Sequence, residues 1–160
     1  MTKLSKSREK YLLEKHFKTK SAKNIPVSLT QFGCRDGETT DEDLFFVTTY
    51  VIRIDRLALG GTLVTENGLQ YLKKLESVEY LDLRSMALND NNLDCILHLR
   101  NLQYLYIKFT DVTVVGISKI LDAFAGLQTL VAEIPKEAVE IIAGWQAQYP
   151  SVELVISIRE

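Results

Sequence analysis

The residue types able to do chemistry are few in this 160-residue chain, and their spacing does not suit it. His16 and His98 fall in different elements, and neither has a partner at metal-ligand spacing. Cys34 and Cys95 are far apart, so both read as reduced thiols of a cytoplasmic protein rather than a disulfide or a zinc site. The acidic run Asp36, Glu38, Asp41, Glu42 and Asp43 lacks the ligand spacing of a calcium loop. It reads as a solvated turn whose acids favour the start of the next helix. The sequence holds no glycine-rich phosphate loop and no nucleophile motif. The expectation is a chain that is not an enzyme and carries no cofactor and no metal.

What remains is the chemistry of binding. Tyr80, Tyr104, Tyr106 and Phe109 are set among Asp82, Arg84 and Lys108. Tyrosine presents a large, fairly rigid apolar area with a hydroxyl that tolerates water, and with arginine it makes the composition of interface hot spots. Tyr80 and Tyr104 are 24 residues apart, and Tyr104 and Tyr106 are two apart. Those spacings bring them together only if the elements that carry them repeat.

They do repeat. Val64-Thr65-Glu66-Asn67-Gly68-Leu69 is rewritten as Leu88-Asn89-Asp90-Asn91-Asn92-Leu93 and as Val112-Thr113-Val114-Val115-Gly116-Ile117, each starting 24 residues after the last. An apolar ladder follows each: Leu72, Leu75, Val78, Leu81 and Leu83; then Ile96, Leu99, Leu102, Leu105 and Ile107; then Ile120, Phe124, Leu127, Leu130 and Ala132, with one residue inserted before Phe124. A period in the low twenties marks a solenoid. Spacing of three buries one face of a helix, and spacing of two is a strand rhythm, so each repeat reads helix, turn, strand. Thr65, Thr113 and either Asn89 or Asp90 are expected helix N-caps, and His98 is expected on the middle helix. Thr40-Asp41-Glu42-Asp43-Leu44 opens an earlier copy with a shorter ladder, in which Leu44 and Val47 are followed by Tyr50, Ile52 and Ile54 running into a strand. A degenerate last copy has Pro135 opening a helix with Val139, Ile142 and Trp145, after which Tyr149, Val152 and Leu154 continue the ladder and Ile156 and Ile158 extend the strand as a C-terminal cap. Trp145 is expected in the core.

Composition sets outer limits. The chain is 46% hydrophobic and 25% charged, values of an ordinary soluble domain. It has no run long enough to span a membrane and no secretory signal at its start. Residues 1–24 hold eight Lys or Arg against Glu9 and Glu14, leaving eleven basic against nineteen acidic residues in the rest. A basic arm on an acidic body suggests nucleic acid or an anionic membrane surface. The favoured reading is a solvated helix over residues 3–18, with Leu4, Tyr11, Leu12, Leu13 and His16 as its stripe, drawn to its own acidic domain; no aromatic-interleaved nucleic-acid motif accompanies the lysines. Residues 25–32 read as an edge strand or capping segment with Pro26 at its start.

The ladder Leu69-x-x-Leu72-x-x-Leu75-x-x-Val78-x-x-Leu81-x-Leu83 resembles the leucine-rich repeat, and Val64-Thr65-Glu66-Asn67-Gly68-Leu69 resembles its helical, ribonuclease-inhibitor-like subclass with the phrase T-D-x-G-L. The likeness covers residues 40–158. It implies a short right-handed α/β solenoid, with about five parallel strands on the concave side, helices on the convex side and an N-terminal helical and strand cap. The division expected is a capping segment over 1–39 and the repeat domain over 40–160. Met86 and Thr110 stand where the family has its inter-turn asparagine ladder, so stacking of apolar groups is expected to dominate. The family implies binding of another protein on the strand face, by a small chain acting as an adaptor or a toxin-neutralising immunity protein, monomeric in isolation.

Residues alternating with the buried strand positions point to that face. One row reads Arg53, Asp82, Tyr106, Val131 and Glu153; the next Asp55, Arg84, Lys108 and Glu133; the preceding one Val51, Tyr80, Tyr104 and Thr129; Ser85 and Phe109 lie just beyond. Rows so placed predict the pairs Arg53–Asp82, Asp55–Arg84 and Lys108–Glu133. The expected partner site is Tyr80, Asp82, Arg84, Tyr104, Tyr106, Lys108 and Phe109.

Overall fold

The computed structural model describes residues 4–159. Six strands form one sheet in chain order, every neighbouring pair parallel: β1 Ser28–Phe32, β2 Arg53–Ala58, β3 Ser77–Asp82, β4 Tyr104–Tyr106, β5 Thr129–Pro135 and β6 Glu153–Arg159. Phe32, Leu57, Leu81, Leu105, Leu130 and Leu154 lie side by side along one row. Leu57 through Leu130 of that row are fully buried. The capping strand expected at 25–32 is β1, a full member of the sheet.

Register at both ends departs from the sequence reading. Arg56, not Val51, stands beside Tyr80, and Ala58, not Arg53, stands beside Asp82. The first copy therefore carries a complete ladder of Leu44, Val47, Val51, Ile54, Leu57 and Leu59, all of them fully buried. At the other end Glu153 stands beside Thr129 and Val155 beside Val131. Pro135 closes β5 instead of opening a helix; a 3-10 turn at Lys136–Ala138 and helix Ile141–Gln148 follow it.

Ladder spacing decides what kind of helix each repeat builds. Asp41–Tyr50 (α2) and Val114–Ala123 (α4) are α-helices of ten residues. Their buried positions run Leu44, Val47, Val51 and Ile117, Ile120, Phe124, the three-then-four rhythm of 3.6 residues per turn. Where the spacing is a strict three, the chain tightens. Leu69, Leu72 and Leu75 sit on a four-residue α3, Glu66–Leu69, that runs into a 3-10 helix at Gln70–Lys74. Leu93, Ile96 and Leu99 have only a 3-10 turn at Leu93–Cys95, because three residues per turn is the 3-10 period. The middle repeat thus has no α-helix, and His98 lies in a turn, where its Nε2 bonds the Leu75 carbonyl at 2.9 Å.

Each repeat must also satisfy the backbone N–H at the start of its phrase, and two solutions alternate. Thr40 N–H and Asn89 N–H are capped from within their own repeats, by Asp43 Oδ2 at 2.9 Å and Asn92 Oδ1 at 2.8 Å. Thr65 and Thr113 instead receive the carboxylate of the preceding repeat. Thr65 donates from N and Oγ1 to Asp41 at 2.7 and 2.6 Å, and Thr113 donates from N to Asp90 at 2.9 Å and from Oγ1 at 2.5 Å. Thr113 also accepts from Val115 N–H as an N-cap, whereas Thr65 Oγ1 makes no such bond. Where the neighbour's acid enters, the fifth position of the six-residue phrase must be bare. A Cβ on Gly68 would strike the Asp41 carboxylate, and one on Gly116 would strike that of Asp90. The inter-turn polar ladder exists, but it runs from aspartate to threonine at the start of the phrase. At the family's usual ladder position Met86 is buried and Thr110 Oγ1 bonds Ile107 O of its own turn.

The N-terminal end is closed by α1, Lys6–Phe17, capped by Ser5 Oγ. Leu12 and Leu13 are buried with Phe46 of α2, while Tyr11 is half exposed with the Arg8 guanidinium 4.7 Å from its ring centroid. Arg8 pairs with Glu42, and Lys15 and His16 both reach the buried Asp43 at 2.8 and 2.7 Å. Burial alone would raise the Asp43 pKa, but hydrogen bonds from His16, Lys15 and Thr40 outweigh it and hold the carboxyl well below the usual carboxylate range. Trp145 is buried in the core with its Nε1 donating to Ser118 Oγ at 3.0 Å.

Candidate protein-binding face

The tyrosines meet because β3 and β4 are in register: Tyr80 stands beside Tyr104, and Asp82 beside Tyr106. Period two then turns all three rings to the side away from Leu81 and Leu105. Tyr80 lies 6.3 Å from Tyr104 and 5.0 Å from Tyr106 between ring centroids, both tilted. Contacts of this kind contribute about 0.5–1.5 kcal/mol each beyond area burial. Guanidinium groups cover two of the rings, Arg56 at 3.9 Å from the Tyr80 centroid and Arg84 at 5.3 Å from that of Tyr106. The Tyr104 hydroxyl donates to Gln128 Oε1 at 2.7 Å. Burial raises the Tyr80 pKa, opposed by the Arg56 charge. The result is an apolar surface already held in place, which loses little side-chain freedom on binding.

Asp82 corrects the sequence expectation. Expected on the surface, it is 1% exposed. Its carboxylate lies over Gly60, where an added Cβ would come within 2.7 Å of Oδ1. Arg84 N and Nε donate to Oδ1 at 3.1 and 2.9 Å, and Arg35 Nε reaches Oδ2 at 3.4 Å. Burial raises its pKa, with the Arg35 charge the largest opposing influence. Asp82 therefore orients Arg84 against Tyr106 and leaves a partner nothing to touch. Among the described residues none of the three predicted cross-row pairs forms. Arg53 meets Glu76 at 3.6 Å, Arg84 meets Asp82, and Glu133 meets Arg159 at 3.2 Å.

Phe109 is 59% exposed and has φ +60°. It is the last of a column of left-handed turn residues, Asp36, Gly61, Ser85 and Phe109, with φ of 54°, 70°, 57° and 60°. Only Gly61 adopts that region freely; a bulky residue there is strained by about 1–2 kcal/mol. Lys108 Nζ is 4.8 Å from the Phe109 ring centroid. A cleft of about 250 Å³ opens beside the column, lined among others by Arg35, Asp36, Gly60, Arg84 and Phe109. An exposed, strained aromatic at the rim of a cleft is an arrangement that packing does not require.

Sequence reasoning missed Arg56 and Arg35. The clue to Arg56 was the pair Leu57 and Leu59, 24 residues before Leu81 and Leu83, which sets Arg56 opposite Tyr80. Among the described residues no group of three His, Cys, Asp or Glu side chains converges as a metal site, and no helix is long and apolar enough to cross a membrane. Cys34 and Cys95 are both free thiols.

No family model matches the chain, and no curated protein matches it. Among solved structures, an internalin from Listeria monocytogenes is similar at 13% identity and a TM-score of 0.40, over 74% of this chain. The chain spans 39% of that protein's length. The six-stranded parallel sheet and its in-register ladder make the fold leucine-rich-repeat-like.

Proposed function

We propose that the chain is a non-catalytic module that binds another protein through the outward face of β2–β4, centred on Tyr80, Tyr104 and Tyr106 with Arg56, Arg84, Lys108 and Phe109 at its borders. The observation that carries this reading is the stacked tyrosine cluster, presented by neighbouring strands and tied down by guanidinium groups, beside an exposed strained phenylalanine. The partner chemistry that fits is an apolar side chain flanked by acids, with the charges steering encounter more than setting affinity. The ten-residue helices α2 and α4, with the phrases opening at Thr65 and Thr113, favour the helical subclass of repeat. As an adaptor or an immunity protein, the module would act by covering the partner's surface with this face.

The rival reading is nucleic acid or an anionic membrane gripped by residues 3–23; against it stand the ion pairs of Arg8 with Glu42 and Lys15 with Asp43, which engage two of that segment's eight Lys and Arg residues. A photo-crosslinking amino acid placed at Tyr104 and, separately, at Lys119 of α4 tests the site in a lysate of the native host. Capture of one defined protein from Tyr104 and not from Lys119 is expected. Capture from Lys119 alone, or salt-sensitive nucleic acid lost when α1 is deleted, would refute it.

A further inference from the structure

The two ends of the sheet are finished differently. At one end α1 packs on α2 and β1 presents Ser28, Thr30 and Gln31, all exposed, just after Pro26. Proline and polar side chains are how sheets keep an edge from pairing. At the other end β6 reads Glu153-Leu154-Val155-Ile156-Ser157-Ile158-Arg159, with no proline and no charge between its ends. Its ladder residues Leu154 and Ile156 are only partly buried and Ile158 is 49% exposed, where Leu130, Ala132 and Ile134 of β5 are fully buried. Val155 on the other face is 44% exposed. Among the described residues nothing pairs with the outer edge of β6.

We propose that two copies of the chain pair antiparallel through β6, about a two-fold axis at Ile156. Three features select this occupant and this register. First, Glu153 N–H donates to the carbonyl of Gln128, the residue just before β5, at 2.7 Å. Alternate amides then turn the same way, so those of Leu154, Ile156 and Ile158 face the open edge. They are the residues that exchange hydrogen bonds when Ile156 meets Ile156 and Leu154 meets Ile158. Second, the same register sets Glu153 of one copy opposite Arg159 of the other, twice, in the close non-hydrogen-bonded positions. Arg159, 3.2 Å from Glu133 in its own chain, then lies between two carboxylates. Third, the apolar ladder of one copy continues into the other, which covers the half-open last turn. The contact is isologous and closes at two, whereas adding β6 to the polar β1 edge of another copy would grow an open-ended chain. This departs from the monomer expected from sequence.

Sedimentation equilibrium on the full chain tests the proposal. The wild type is expected to be a dimer. E153R alone and R159E alone place like charges at both junctions and weaken self-association about tenfold or more. Mixed in equal amounts the two variants pair again, because E153R is basic at both strand ends and R159E is acidic at both, so every junction joins opposite charges. Amide exchange on the wild type gives a reading that needs no variant: Leu154, Ile156 and Ile158 should slow with rising concentration while Val155 and Ser157 do not change. A wild type that stays monomeric, single variants that associate like wild type, a mixture that stays apart, or a size that grows without limit would each overturn it.

Discussion

Replacing Gly68 with alanine should destabilise the protein in one background and stabilise it in another. The added Cβ would meet the Asp41 carboxylate, with Cγ at 2.6 Å and the Val64 Cγ1 at 2.9 Å. The carboxylate must then leave Thr65 N and Oγ1, which it holds at 2.7 and 2.6 Å. Losing a charge-assisted helix-start bond and its hydroxyl partner costs about 1–3 kcal/mol. Alanine returns about 1 kcal/mol of helix propensity, since α3 is an ordinary right-handed segment here. The net expectation for G68A is a loss of up to about 2 kcal/mol. D41A by itself removes the same bonds and should cost about 1–3 kcal/mol. In the D41A background the space is vacant, so G68A should cost nothing or stabilise by up to about 1 kcal/mol, the contact with Val64 reducing the gain. Urea unfolding of the four proteins measures the cycle, and G126A, whose Cβ meets nothing within 4 Å, is the control expected within about 0.5 kcal/mol of wild type. Additive effects of G68A and D41A would refute the claim that the glycine exists to admit the neighbouring repeat's acid.

Leu105→Ala should cost about 2–5 kcal/mol in the same assay, because Leu105 is fully buried in the central row of the sheet. Asp43 makes stability fall with acid: its folded pKa is held below the unfolded value, so its contribution is present above the ordinary carboxylate range and drains away as pH falls through that range and beyond. Asp43→Asn should be less stable than wild type at neutral pH and should flatten the acid limb of a stability–pH curve; an unchanged limb would show that the contacts of Lys15 and His16 with Asp43 contribute little. At pH 8 a thiol reagent should label Cys34, which is exposed, and leave Cys95, whose thiol burial pushes up to about 12, unreacted until the protein unfolds. Two equally fast thiols in the native protein would contradict the packing of the middle repeat.

The ladder was legible because apolar residues at fixed register have one reason to recur, burial against the next turn. Leu81, Leu105 and Leu130 could therefore be set side by side from sequence, and Tyr80 and Tyr104 with them. Register at β2 is misread from sequence because Tyr50 stands next to Val51, the residue that carries the ladder there. The period-two pair Ile52 and Ile54 then mimics the strand pair that Leu57 and Leu59 supply five residues later, which sets Val51 and Arg53 where Arg56 and Ala58 stand. The absent middle helix was written in the strict spacing of three and in Asn89 and Asn92, whose side chains accept from the nearby Asn91 and Asn89 backbone N–H groups instead of leaving them to propagate a helix. Asp82 was unreadable by pattern alone. It occupies an outward strand position, and only the neighbouring bare Gly60 and the reach of Arg35 from 47 residues earlier fold it inward.

Binding energy should sit in the tyrosine cluster. The most direct measurement is the affinity of the captured partner for Y104A and Y106A beside K73A and K119A, taken by calorimetry with unfolding curves on all four. The tyrosine variants should fold with wild-type stability to within about 1 kcal/mol, since each ring keeps partial exposure. They should bind about tenfold to a thousandfold more weakly, while the lysine variants bind as wild type does. Wild-type affinity in both tyrosine variants, with a loss in either lysine variant, would contradict that placement and move the site to the helical side.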